Sequence, residues 1–241
     1  MARSLGHKGR FAIAYLLLGA AAGAGLGGFL VLLHRPAPKP PPPWSSWQPT
    51  QASTGATAQA IATHIAGSYR LPDGQQVARV VTEAPSQAAG NVEAIALTDR
   101  PNAVTVYPTS GTMLYTICGS GQNCRLPGQG RSRVDLLRRE ALELALYTLK
   151  YSKVIDVAVF FPPVQGVSGS SSVFFFPRED FAKELKHPLS TTLPHANLVG
   201  HGKVDRRELP TIDELTGGRH YHFGVETANS GRHVLLLQPI A

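Results

Sequence analysis

Three groups of side chains in this sequence could do chemistry. His220 and His222 alternate along a predicted strand, and Glu226 follows on the same face. Period two sets Tyr221, Phe223 and Val225 on the other face, toward a core. Two neutral imidazoles two residues apart, with a carboxylate, could hold a divalent metal and support a hydrolase or metal-dependent enzyme. The plainer reading of the same face is a polar, solvated strand. Cys118 and Cys124 bracket a short Gly-containing loop. In an oxidising compartment that spacing points to a structural disulfide, because a redox pair is more often Cys-x-x-Cys and zinc needs two further ligands. Arg125, Arg131, Arg133, Arg138 and Arg139 crowd together, with Asp135 the one acid among them. They form a patch suited to lipid head groups, an envelope polymer or an acidic protein partner. Pairing at i, i+4, Asp135 with Arg139 and Arg139 with Glu143, would neutralise part of it locally.

Other motifs fall short. Ser168 lies in Gly166-Val-Ser168-Gly-Ser170, which lacks the final glycine of a nucleophile elbow. Gly119-Ser-Gly121 lacks the third glycine of a dinucleotide loop, and there is no Walker A sequence, His-Glu-x-x-His or EF-hand loop. His195 and His201 fall in an irregular stretch. No cofactor is called for.

The net charge of +7 looks like a nucleic-acid signal until it is mapped. Arg3, Lys8, Arg10, Arg35 and Lys39 lie in the first 39 residues with no acid, and the remainder is close to balanced. That excludes the basic footprint of a phosphate-backbone binder, so no nucleic-acid partner is expected. Charged residues are 16% and hydrophobic residues 43% of the 241, which excludes a wholly disordered chain.

The elements that must position these groups divide the chain into four. Residues 1–10 read as a cytoplasmic tail. Residues 11–33 carry no charge and read as a single transmembrane helix, a signal-anchor, with cleavage near Ala20–Ala22 as the competing reading. Gly19, Gly23 and Gly27 recur every four residues there, a face on which a second copy or a partner helix could pack. Residues 34–52 are a Pro-rich linker, extended by its prolines and ending at Trp44 and Trp47, whose rings should dock on the folded domain. Residues 53–241 form the outer domain. The positive charges preceding the span place the N-terminus in the cytoplasm and this domain outside.

Within it the fold class expected is α+β, with a largely antiparallel sheet and a central buried helix. Helices are predicted over 56–66 and from Ser132 to about Tyr151, the second apolar on most sides. Ser132 with Asp135, and Thr211 with Glu214, resemble capping boxes. Strands are predicted over 76–84, 92–98, 103–107, 112–118, 154–161, 173–176, 219–227 and 232–238. A hairpin is expected around Thr109-Ser110-Gly111 and another around Asn229-Ser230-Gly231.

The run Trp44-Ser-Ser-Trp47-Gln-Pro, followed by Tyr69-Arg-Leu-Pro-Asp-Gly74, resembles single-pass membrane proteins of GC-rich actinobacteria. So do Leu136-Leu-Arg-Arg-Glu-Ala-Leu-Glu-Leu-Ala-Leu-Tyr147 and Val173-Phe-Phe-Phe-Pro-Arg-Glu-Asp180. Residues 140–162, an Ala/Leu helix and then Val-x-Val-x-Phe, are similar to the core of GerMN-type envelope domains. The first resemblance implies a membrane-anchored protein of the cell envelope; neither implies a catalytic residue. The function expected is therefore binding or scaffolding in the envelope. The rivals are the tethered metal enzyme and a signalling subunit that pairs through its glycine face.

Overall fold

The computed structural model describes residues 7–33, 42–82, 92–100, 103–119, 131–161, 171–228 and 231–240. The Pro-rich stretch 34–41, Ser168, Cys124, Arg125 and the turn residues Asn229 and Ser230 lie outside them. The chain forms two compact units, Met1–Pro42 and Pro43–Ala241.

The first unit holds one helix, α1, His7–Leu33. Its described large apolar side chains, Ile13, Leu16, Leu17 and Phe29 among them, are exposed. Among the described residues no helix is long and apolar enough to cross a membrane. This overturns the single-pass transmembrane and signal-anchor reading of residues 11–33. The run is free of charge, but its centre is Gly and Ala, and such residues each bring little apolar area to bury. A methyl group at Gly19 or Gly23 would meet nothing within 4 Å, and Gly27 lies outside the described side chains.

In the second unit, helix α2 (Thr54–Ser68) starts at Ser53, whose hydroxyl accepts from the Ala56 amide at 3.3 Å. Strands β1 (Arg79–Val81), β2 (Val92–Arg100), β3 (Ala103–Pro108) and β4 (Thr112–Cys118) follow. Helix α3 (Arg131–Tyr151) leads to β5 (Asp156–Phe161) and β6 (Ser172–Pro177). Two single turns, α4 (Leu189–Thr192) and α5 (Ala196–Val199), precede α6 (Leu209–Thr216) and the closing pair β7 (His220–Thr227) and β8 (His233–Pro239). Ser132 and Thr211 both lie inside their helices rather than capping them. Glu208 holds the cap position of α6, and Pro210 sits in its first turn.

The eight strands form one sheet in the order β1-β4-β5-β6-β7-β8-β2-β3. The pairs β4–β5 and β2–β8 are parallel; the rest are antiparallel. The fold is thus mixed α/β, which corrects the anchored α+β reading. The reason is α3. It carries the chain from the end of β4 back to the start of β5, and such a crossover makes a parallel pair. The hairpin expected around Thr109-Ser110-Gly111 is absent as well. That tripeptide is a 3-10 turn, and β3 pairs with β2 while β4 lies between β1 and β5.

One face of the sheet packs under α2 and α3. Ile61, Ile65, Leu142, Leu146, Val157, Val159 and Phe176 are all fully buried there. Trp44 closes this core. Its indole N–H donates to the Glu184 carbonyl at 3.1 Å, and its ring stands edge-on to Tyr147 and Tyr151 at 5.3 and 5.6 Å. Trp47 stacks on His64 at 3.9 Å. The folded unit therefore starts at Pro43, ahead of the Ser53 boundary.

The other face carries Ile95, Leu97, Ala158, Phe160, Val173, Phe175, Leu235 and Leu237, also buried. Here the sheet covers itself. Strands β3 and β6 are four places apart, about 19 Å in a flat sheet. Yet Tyr107 of β3 meets Phe175 of β6 at 4.8 Å between ring centres. The sheet must curl until its β2–β3 end lies over β6, supplying the apolar cover that a second helical layer otherwise provides.

Cys118 is buried at the end of β4, opposite Arg79. No disulfide is seen among the described residues, and the expected Cys118–Cys124 bond falls outside them with Cys124.

Two stability measurements test this packing. Trp44→Ala should cost about 3–5 kcal/mol in urea unfolding, the usual loss for truncating a buried aromatic ring; a loss below about 1 kcal/mol would mean that the segment does not dock. Burial, with the Glu179 charge second, raises the Asp156 carboxyl from 3.8 to about 6. The folded protein then keeps a proton that the unfolded chain releases, so this group's contribution to stability falls as pH rises from about 4 to 6. Asp156→Asn removes that fall. The variant should match the wild type near pH 4 and exceed it at pH 7, and an equal difference at both pH values would refute the assignment.

Candidate functional site

The charges on α3 do not form one exposed patch. Arg139 is fully buried. Its Nε and Nη2 reach Glu208 at 2.7 and 3.4 Å, and its Nη1 donates to Glu143 at 2.9 Å and to the Tyr69 hydroxyl at 2.7 Å. Tyr69 in turn donates to Glu143 at 2.6 Å. Burial opposes the guanidinium's charge, but Tyr69, Glu143 and Glu208 outweigh it and hold Arg139 above its usual range. Burial first and then the Glu143 charge push the Tyr69 hydroxyl well above its usual value. Arg138 pairs with Asp213 at 2.6 Å and donates to Thr216, which ties α3 to α6. Arg133 donates to the Val77 carbonyl at 2.9 Å. Of the expected local pairs, Arg139 takes Glu143 and leaves Asp135.

Glu140 is also fully buried, and neither carboxyl oxygen has a partner among the described residues. Burial, then the neighbouring Glu143 charge, raise it well above the usual carboxylate range.

The network positions a loop. Glu208 accepts the His195 amide at 2.7 Å, and the His195 ring lies 3.4 Å from Asp205 and 3.6 Å from Glu208. The Arg70 amide donates to the Val199 carbonyl at 3.0 Å. Gly202 has a φ of +72°, and a Cβ there would stand 2.6 Å from Pro72. Only glycine fits that backbone conformation and that approach. So held, residues 202–209 face the start of α3 across a cavity of about 470 Å³. Arg131 and Ser132 line it from α3, Lys203 and Arg206 from the loop, with Asp135 the one acid among the described lining residues. Arg131, Lys203 and Arg206 make no side-chain ion pair among the described residues. Three uncompensated cations from two elements, converging on one space, form an anion-binding arrangement.

The His220, His222 and Glu226 face does not converge. His220 is half-buried and stacks on Phe174 at 4.4 Å; burial, then Arg138 and His222, lower it to about 4, so it is neutral. Glu226 stands six residues along the strand, about 20 Å away, too far to share an ion. Among the described residues no three His, Cys, Asp or Glu side chains are placed to hold a metal.

Sequence reasoning missed Tyr69, Glu208, Asp205, Lys203 and Arg206, and left His195 as a loop residue. One signal pointed to the first two. Arg139, Glu140 and Glu143 stand in a helix otherwise apolar on most sides, and charges buried there need partners from elsewhere.

No protein-family model matches the chain. Neither a curated protein nor a solved structure matches it.

Arg139→Met would leave Glu143 and Glu208 buried without their cation, and unfolding free energy should fall by about 3–5 kcal/mol. Arg139→Lys should recover only part of that, because an ammonium cannot fork to both carboxylates. Wild-type stability in the methionine variant would show that the network holds nothing.

Proposed function

We propose that this chain is a binding or scaffolding protein that seizes a phosphate or carboxylate group of its partner in the cavity between α3 and the 202–209 loop. The observation that supports this reading is the convergence of Arg131, Lys203 and Arg206, without an ion-pair partner among the described residues, on one cavity of about 470 Å³. That volume lies within the range of ordinary small-ligand sites. Arg131 supplies a planar fork for two anion oxygens, and Lys203 and Arg206 add charge from the opposite wall. Ser132 can donate its hydroxyl. Val204 and Leu209 form the apolar part of the wall, and Asp135 can accept from a ligand hydroxyl or amine. The buried Arg139 network sets the loop in place before the ligand arrives, which lowers the ordering cost of binding.

Titration calorimetry with inorganic phosphate and with polyphosphate tests this. Binding should weaken as salt rises, and the double substitution Arg131→Ser with Lys203→Ser should weaken it at least about tenfold, the loss of two charge-assisted contacts. Both residues are exposed, so the variant should fold as the wild type does. Affinity unchanged in the double variant would reject the site.

A further inference from the structure

We propose a second binding site, at the open end of the curled sheet, for a small organic ammonium ion. It is independent of the anion cavity. The curl leaves a cavity of about 340 Å³ where β2 and β3 approach β6. Tyr107, Phe175 and Tyr221 line it. Tyr107 and Phe175 meet at 61°, so the two rings make a corner rather than a flat wall. Tyr221 is fixed by its hydroxyl, which donates to the Gly218 carbonyl at 2.9 Å.

Acids stand beside this aromatic corner. Glu179 and Asp180 line the cavity from the 3-10 turn that follows β6. Glu179 is exposed and makes no hydrogen bond or ion pair among the described residues. Asp180 is taken by Arg219, a cation in the same wall, at 3.0 Å. That pair is close to neutral, which leaves Glu179 as the uncompensated charge. Asp156 lies beneath the lining residues and is not one of them. It pairs in register with Pro177, a lining residue, and strand alternation turns its side chain to the same face as Phe175 and Pro177. It is 2% exposed, and its Oδ1 has no partner among the described residues. Arg178 donates to the carbonyls of Ser152 and Val154, and its charge acts on Asp156 from there.

Aromatic rings around a space attract a cation to their faces, and an unpaired carboxylate at the rim adds a full charge. A quaternary or alkyl ammonium fits both: its methyl groups pack on the half-buried Tyr107 ring, which the buried Phe175 and Tyr221 back, while its charge meets Glu179. An anion would face Glu179 and a spent arginine, and a neutral apolar ligand would leave the Glu179 carboxylate unanswered.

Calorimetry on the full chain with choline chloride tests the site, with 3,3-dimethylbutanol as the neutral molecule of the same shape. Choline should bind at least about fivefold tighter than the alcohol, the fold-change expected of about 1 kcal/mol from cation–π contact. Glu179→Gln should weaken choline by about as much and leave phosphate binding at the other cavity unchanged. Tyr107→Leu should weaken it too; if that variant fails to fold, the exposed Glu179→Gln decides alone. Equal binding of choline and the alcohol, no binding of choline, or wild-type affinity in Glu179→Gln would each overturn the proposal.

Discussion

The Arg139 guanidinium, fully buried, is the interaction on which the arrangement of the helical side depends. An isolated charge there would cost many kcal/mol, so the chain must bring carboxylates to it. It brings one from its own helix, Glu143, and one from the start of α6, Glu208, and it adds the Tyr69 hydroxyl from the end of α2. Three segments distant in sequence are thereby held at one point. The geometry admits little slack, because the fork of the guanidinium sets the directions of its hydrogen bonds. Glu208 also accepts the His195 amide, so the start of α5 is tied to the start of α6 and the chain between them is closed at both ends by the same cation's partner.

That constraint links stability to the cationic cavity. Lys203 and Arg206 stand on the loop that Glu208 anchors, and Gly202 presses that loop against Pro72. Arg131 stands on the helix that carries Arg139. Both walls are referred to a single buried ion cluster, so their separation is set when the core forms. The cost is a core that contains the Glu140 carboxyl without a hydrogen-bond partner among the described residues, in a helix that could have been wholly apolar. Such a group lowers stability, and it is tolerated at a place where the fold is otherwise tightly tied.

The sheet solves a different problem. Among the described residues it has helices on one face only, while the residues on its second face are as apolar as those on the first. Curling brings Tyr107 onto Phe175 and buries that second face against its own far strands. Because the curl closes on side chains and not on hydrogen bonds between β3 and β6, an end stays open. Aromatic rings, acids and Arg219 gather there because β6, the turn after it and the start of β7 all meet at that point.

Much of the local structure was legible in the residues alone. The apolar stripe of α3, the β-rich runs of β5 and β6, and the hairpin of β7 and β8 follow from side-chain period and turn chemistry, which act over a few residues. A charge-free run at 11–33 was legible too, but its small side chains do not make it a span. Pairing was not legible beyond the nearest strand: β4 lies beside β5 because α3 intervenes, and β8 joins β2 across most of the chain. Nor were the partners of Arg139, since Tyr69 and Glu208 carry no mark of what they will face. The four described arginines of α3 look alike in sequence. Tertiary structure alone separates the one buried as a clamp, those spent on Asp213 and Val77, and Arg131, which is left facing a cavity. Sequence determines what a segment can bury and how it repeats, because those are local properties. Which charge is neutralised and which stays free depends on contacts between distant segments, and these exist only once the chain has closed on itself.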